Sequence, residues 1–152
     1  MSIWFFINLV IFTFALWKVV GHLHIHTIIG LFGLTFILYN WTRHAMFSTI
    51  RSNISRKRKI KFANISKTLL PLHKWTGTSA LLFVLLHFVL IFYFFGFVPN
   101  TKMISGLLAL FTLIGVVAFG WLRYVRTTVV RRYIHWTLAY ILIFSVMFHI
   151  LV

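Results

Sequence analysis

Four of the eight histidines stand as two equally spaced pairs. The stretch LHKWTGTSALLFVLLHF carries His73 and His87, and RRYIHWTLAYILIFSVMFHI carries His135 and His149; both intervals are 14 residues. On a helix turning ~100° per residue, 14 steps fall ~40° short of four full turns, so the two imidazoles of a pair leave one face ~21 Å apart along the axis. The rest of the composition leaves these side chains without competitors. The 152 residues hold no Asp or Glu and no Cys. That excludes carboxylate acid–base catalysis, carboxylate-held Mg²⁺ or Ca²⁺ and a triad closed by Asp. It equally excludes thiolate zinc, iron–sulfur clusters, disulfides and covalently attached c-type haem. Histidine remains as the metal ligand and proton handler.

The elements that must position these histidines are membrane spans. Hydrophobic residues make up 61% of the chain, against roughly 45–50% in a soluble domain. They fall in five runs, residues 2–20, 27–47, 72–97, 103–122 and 133–152, each near the ~20 residues that cross a bilayer as a helix. The first has no basic segment before it and no small-residue cleavage site after it, so it is expected to be a span and not a signal peptide. Thirteen of the fifteen Lys and Arg lie in the segments joining spans two and three or spans four and five, counting Arg43 and Lys74 at the span ends. The positive-inside rule then places both basic loops and the N-terminus in the cytoplasm, with the C-terminus outside. The run Arg56–Lys57–Arg58–Lys59 with Lys61 reads as this topology signal together with contact to anionic lipid. No aromatic residues interleave with it as in a nucleic-acid surface, and no GxGxxG or P-loop occurs. The expected fold is an all-α membrane protein, a five-span helical bundle with residues 1–152 as one transmembrane domain.

One span separates spans three and five, so these two run in the same direction. His73 then lies at the depth of His135, near the cytoplasm, and His87 at the depth of His149, near the outside. Two stacked haems, each held by one histidine from each helix, suit that arrangement, and two imidazoles on one iron favour electron transfer over O₂ chemistry. Gly77 and Ala139 each lie four residues after an inner histidine and offer a close backbone to a porphyrin. Ser145, four before His149, is placed to orient that ring. Lys74, Arg131 and Arg132 flank the inner histidines as natural partners for haem propionates, with Lys102 a weaker one outside. Haem b is the cofactor expected, two per chain. An intramembrane histidine also serves as a helix–helix hydrogen-bond partner or in a proton or metal path. A histidine-lined transporter without haem is therefore the rival from another class.

HKWTG followed by LLHF on one span, and RRYIHW followed by FHI two spans later, resemble the ferric reductase/NADPH oxidase-like transmembrane domain family. The resemblance covers the whole chain loosely and residues 70–152 specifically. It implies bis-histidine b haems between the third and fifth spans, with His73 and His135 holding the inner haem and His87 and His149 the outer. Its reductases usually continue through a sixth span into a flavin- and NADPH-binding domain, which these residues lack. A partner flavoprotein or a membrane quinol is thus the expected donor, and an acidic partner subunit would balance the remaining positive charge. The implied activity is oxidoreductase-type electron transfer to an outer acceptor such as ferric or cupric ion, O₂ or a periplasmic protein, in a bacterial plasma membrane. A quinone-reactive cytochrome b anchor of a larger respiratory complex is the second reading that keeps the haems.

The remaining signals are local. His22, His24 and His26 alternate between spans one and two. An extended backbone would aim all three to one side, as an outer landing site for a transition metal; the plainer reading is an interfacial turn. His44 is expected at the inner membrane interface, Gly30 and Gly33 at helix-packing positions, Pro71 in the first turn of span three, and Pro99–Asn100 in the turn before span four.

Overall fold

The computed structural model describes residues 2–152 and forms five helices: α1 (Ile3–Val20), α2 (Ile25–Arg51), α3 (Arg56–Phe95), α4 (Thr101–Val125) and α5 (Val129–Leu151). All five are long and apolar enough to cross a membrane. No strand occurs among the described residues. The helix starts follow capping chemistry. The side-chain oxygens of Ser2, Asn100 and Thr128 accept from the backbone N–H of Trp4 (3.4 Å), Met103 (2.8 Å) and Arg131 (3.2 Å), satisfying donors that a first turn otherwise leaves open. At its other end α3 stops where Gly96 takes φ +67°, a left-handed conformation that glycine alone adopts without steric cost.

Two expectations about the connections are corrected. The basic stretch expected between spans two and three is largely helical, because α3 begins at Arg56 and runs unbroken to Phe95. Its Lys, Arg, Ala and Leu residues are good helix formers, and nothing before Pro71 interrupts them. Pro71 therefore lies inside a 40-residue helix, not in a first turn. The alternating histidines do not form one extended segment. α2 starts at Ile25, so His26 is helical, and the N–H of His24 donates to Thr27 Oγ1 at 3.2 Å. The His24 and His26 rings stack at 5.4 Å, and no group of three or more metal-ligating side chains gathers among the described residues.

The chain packs as two compact units, one ending at Ala80 and the other Leu81–Val152. In the first, α1 and α2 form an antiparallel hairpin. Asn8 Nδ2 donates to the Leu38 carbonyl (3.2 Å), and the Ser2 N–H donates to Thr49 Oγ1 (3.2 Å). His44, expected at the interface, is half-buried against Trp4 and Trp41, with ring centroids 5.2 and 4.7 Å away. Thr76 Oγ1 donates to Asn40 Oδ1 at 2.8 Å and ties the lower part of α3 to α2.

In the second unit α4 and α5 pack closely and antiparallel. Their shared face is built from Ser105, Ala109, Leu110, Thr112 and Leu113 against His135, Leu142, Ile143, Ser145 and Val146. In a bilayer, apolar surface does not by itself drive helices together. Close backbone approach over small residues and interhelical hydrogen bonds do. The opposite faces carry large apolar side chains, such as Phe111 at 67% exposure and Phe144 at 60%, a surface that lipid tails cover and water would penalise.

Candidate functional site

Each histidine pair occupies an interval of unbroken helix, His73 to His87 within α3 and His135 to His149 within α5. The helical premise of the 14-residue spacing therefore holds for both. His135 is buried, and His73, His87 and His149 are half-buried. None of the four sits in a connecting loop.

The two α5 histidines are held from behind by α4. Nδ1 of His135 lies 2.9 Å from the Val116 carbonyl. Nδ1 of His149 lies 3.1 Å from the Lys102 carbonyl and 3.1 Å from Ser105 Oγ. A carbonyl only accepts, so in both contacts the ring nitrogen must carry the proton. Ser105 Oγ donates its own proton to the Lys102 carbonyl at 2.8 Å, which leaves its lone pairs facing Nδ1 of His149. Both imidazoles thus carry a proton on Nδ1, and in the neutral ring the basic lone pair is then on Nε2. That is the form in which a metal-bound histidine is usually found, with the second nitrogen donating to a carbonyl.

Two glycines on α4 make these contacts sterically feasible. A Cβ at Gly106 would stand 2.9 Å from Cε1 of His149, and one at Gly120 would stand 3.4 Å from Cε1 of His135. Neither the glycines nor Ser105 is marked in the sequence by residue type, and they lie on a helix that bears no histidine. Ser145 is buried on α5, but the hydroxyl that reaches the His149 ring comes from Ser105 of the facing helix.

The supporting residues expected around the inner histidines have these places. A Cβ at Gly77 would meet only Asn40 Nδ2, at an ordinary 3.9 Å. Ala139 is half-buried on α5. Arg131 donates from Nη1 to the carbonyls of Leu122 (3.1 Å) and Arg126 (3.0 Å), a cation closing the C-terminal end of α4. Arg132 stacks over Tyr133 and Trp136 at 5.7 and 5.8 Å, and the Lys74 ammonium lies 5.5 Å from the centre of the Trp75 ring. Lys102 donates from Nζ to the His149 carbonyl at 2.8 Å.

Neutral imidazole is a ligand type that suits a borderline transition metal, and with no Asp or Glu in the chain no carboxylate base accompanies it. Compared with family models, curated proteins and solved structures, the chain matches none.

Proposed function

We propose that this protein carries single electrons across a membrane through two b-type haems, the inner held by His73 and His135 and the outer by His87 and His149. The observation that carries the reading is the pair of matched 14-residue histidine intervals in unbroken helix on α3 and α5. The Nδ1–H tautomers imposed on His135 and His149 support it, since they present Nε2 as the ligating nitrogen. When bound, haem supplies the reversible one-electron chemistry of its iron. The chain's own part is to fix the ligands in depth, to exclude water with the apolar helices, and to neutralise anionic groups at the membrane faces. Lys74, Arg131 and Arg132 would serve that last role near the inner pair.

The charge distribution supports a direction as well. Thirteen of fifteen cations cluster where spans two and three and spans four and five are joined, and the positive-inside rule favours a cytoplasmic N-terminus and cytoplasmic basic segments. Electrons would then enter from a cytoplasmic flavoprotein or a quinol and leave to an outer acceptor such as ferric or cupric ion, O₂ or a periplasmic protein. The deciding experiment is a reduced-minus-oxidised absorption spectrum of the purified protein with a pyridine haemochromogen count. The expected result is a b-type spectrum with two haems per chain. A protein without a Soret band would overturn the proposal in favour of a histidine-lined proton or metal path.

A further inference from the structure

α4 presents the same device twice. A backbone carbonyl at one position faces a histidine of α5, and the residue four later is glycine: Lys102 with Gly106 against His149, and Val116 with Gly120 against His135. The two copies are 14 residues apart, the interval that separates the histidines themselves. In a helix the carbonyl of one residue accepts from the N–H four residues on, and the side chain at that later position borders the carbonyl's outer flank. Glycine there uncovers the carbonyl, whose second lone pair then accepts from an imidazole of the facing helix. Gly115 beside Leu138, where a Cβ would stand 3.1 Å from Cδ1, lies in the same antiparallel register between the two copies.

We infer that α4 is a positioning helix that fixes the tautomer and ring plane of both α5 histidines, with Gly106, Ser105 and the Lys102 carbonyl acting on His149 and Gly120 and the Val116 carbonyl acting on His135. The functional meaning of this inference rests on the haem reading proposed above; the tautomers themselves do not. The two copies differ in tightness. At Gly106 a methyl group would come to 2.9 Å from the imidazole, closer than real Cβ contacts, so the ring must turn or retreat. At Gly120 the corresponding 3.4 Å is close to ordinary van der Waals contact. The outer site is therefore more sensitive to one added methyl group than the inner site. Ser105 adds a hydroxyl acceptor to the outer ring alone.

The test uses the full-length chain in nanodiscs with ¹⁵N-labelled histidine, first without haem. His135→Gln and His149→Gln assign the signals. Both rings are expected as neutral Nδ1–H tautomers. Ser105→Ala should shift the His149 signals only, and Ser105→Thr, which keeps the hydroxyl, should restore them. Nε2–H tautomers at both rings, or a Ser105→Ala spectrum identical to wild type, overturn the inference whether or not haem binds. The second arm adds haem b. Gly106→Ala should move the low-spin electron paramagnetic resonance signal and the midpoint potential of one haem, or lower the count from two to one per chain. Gly120→Ala, where the added methyl stands at 3.4 Å, should move the signal of the other haem, by less and without loss of either haem. Equal effects from the two glycine variants, or none from either, overturn the positioning role. A wild-type chain that takes up no haem removes the proposed function, while the tautomer arm still decides whether α4 sets the rings.

Discussion

At the scale of single residues, an imidazole becomes a committed ligand when its other nitrogen has somewhere to put its proton. His135 and His149 have carbonyl acceptors on α4 at 2.9 and 3.1 Å, so each ring is oriented by the protein itself. Under the proposed function His87→Ala and His149→Ala should each abolish the outer haem and leave the inner one largely intact, because the ligand levels are ~21 Å apart along their helices. Haem content and the redox titration of each variant check this. If His87→Ala pairs in phenotype with His135→Ala instead, the assignment of depths is wrong.

Elements carry their own consequences. The 40 residues of α3 would extend ~60 Å, about twice the ~30 Å hydrocarbon core, so its basic first part exceeds what one crossing needs. Pro71 removes one backbone donor inside that helix and leaves the Lys67 carbonyl without its usual intrahelical N–H. Pro71→Ala is expected to slow amide exchange of the turn before it by roughly tenfold or more, since an interior proline costs a helix about 3 kcal/mol; hydrogen–deuterium exchange of residues 66–72 is the measurement. At the other end of α3, Gly96 has φ +67° and nothing within 4 Å of an added Cβ. The cost of Gly96→Ala should therefore be backbone strain alone, about 1–2 kcal/mol. Thermal denaturation in detergent should show a lowered Tm for Gly96→Ala and a smaller loss for Gly96→Asn, which tolerates the left-handed region better.

For the whole molecule the dominant physical fact is charge, +15 with no acidic residue to offset it. Under the proposed function the propionates of two haems would cancel only a few of these charges, and anionic lipid and an acidic redox partner would offset the rest. Binding of an acidic electron carrier to the basic face should slow steeply as ionic strength rises, because the attraction is screened within about 10 Å at 0.1 M salt. Stopped-flow reduction in oriented proteoliposomes measures this. In the same preparation NADPH alone should leave the haems oxidised, dithionite should reduce them, and a flavin reductase or quinol should restore physiological reduction, the inner haem first. Reduction only from the outer face would reverse the direction of electron flow.

Span number and the histidine pairs were legible without a structure, because a ~20-residue apolar run has few alternatives to a transmembrane helix and because helical periodicity turns a 14-residue interval into a shared face. Arg56 to Pro71 could not be read that way. Its charges mark it as outside the bilayer, yet propensity and continuity with the apolar run keep it helical. Likewise the alternation at His22, His24 and His26 suggests extended backbone only until the start of α2 at Ile25 is known. The backing of the α5 histidines was beyond reach for a different reason. Gly106 and Gly120 in an apolar run look like any small packing residues, and a carbonyl has no signature in sequence at all. Only the antiparallel register of α4 against α5 brings the Lys102 and Val116 carbonyls to Nδ1 of His149 and His135. Which nitrogen of each ring carries the proton is therefore decided by tertiary structure, since the acceptor that fixes it belongs to another helix.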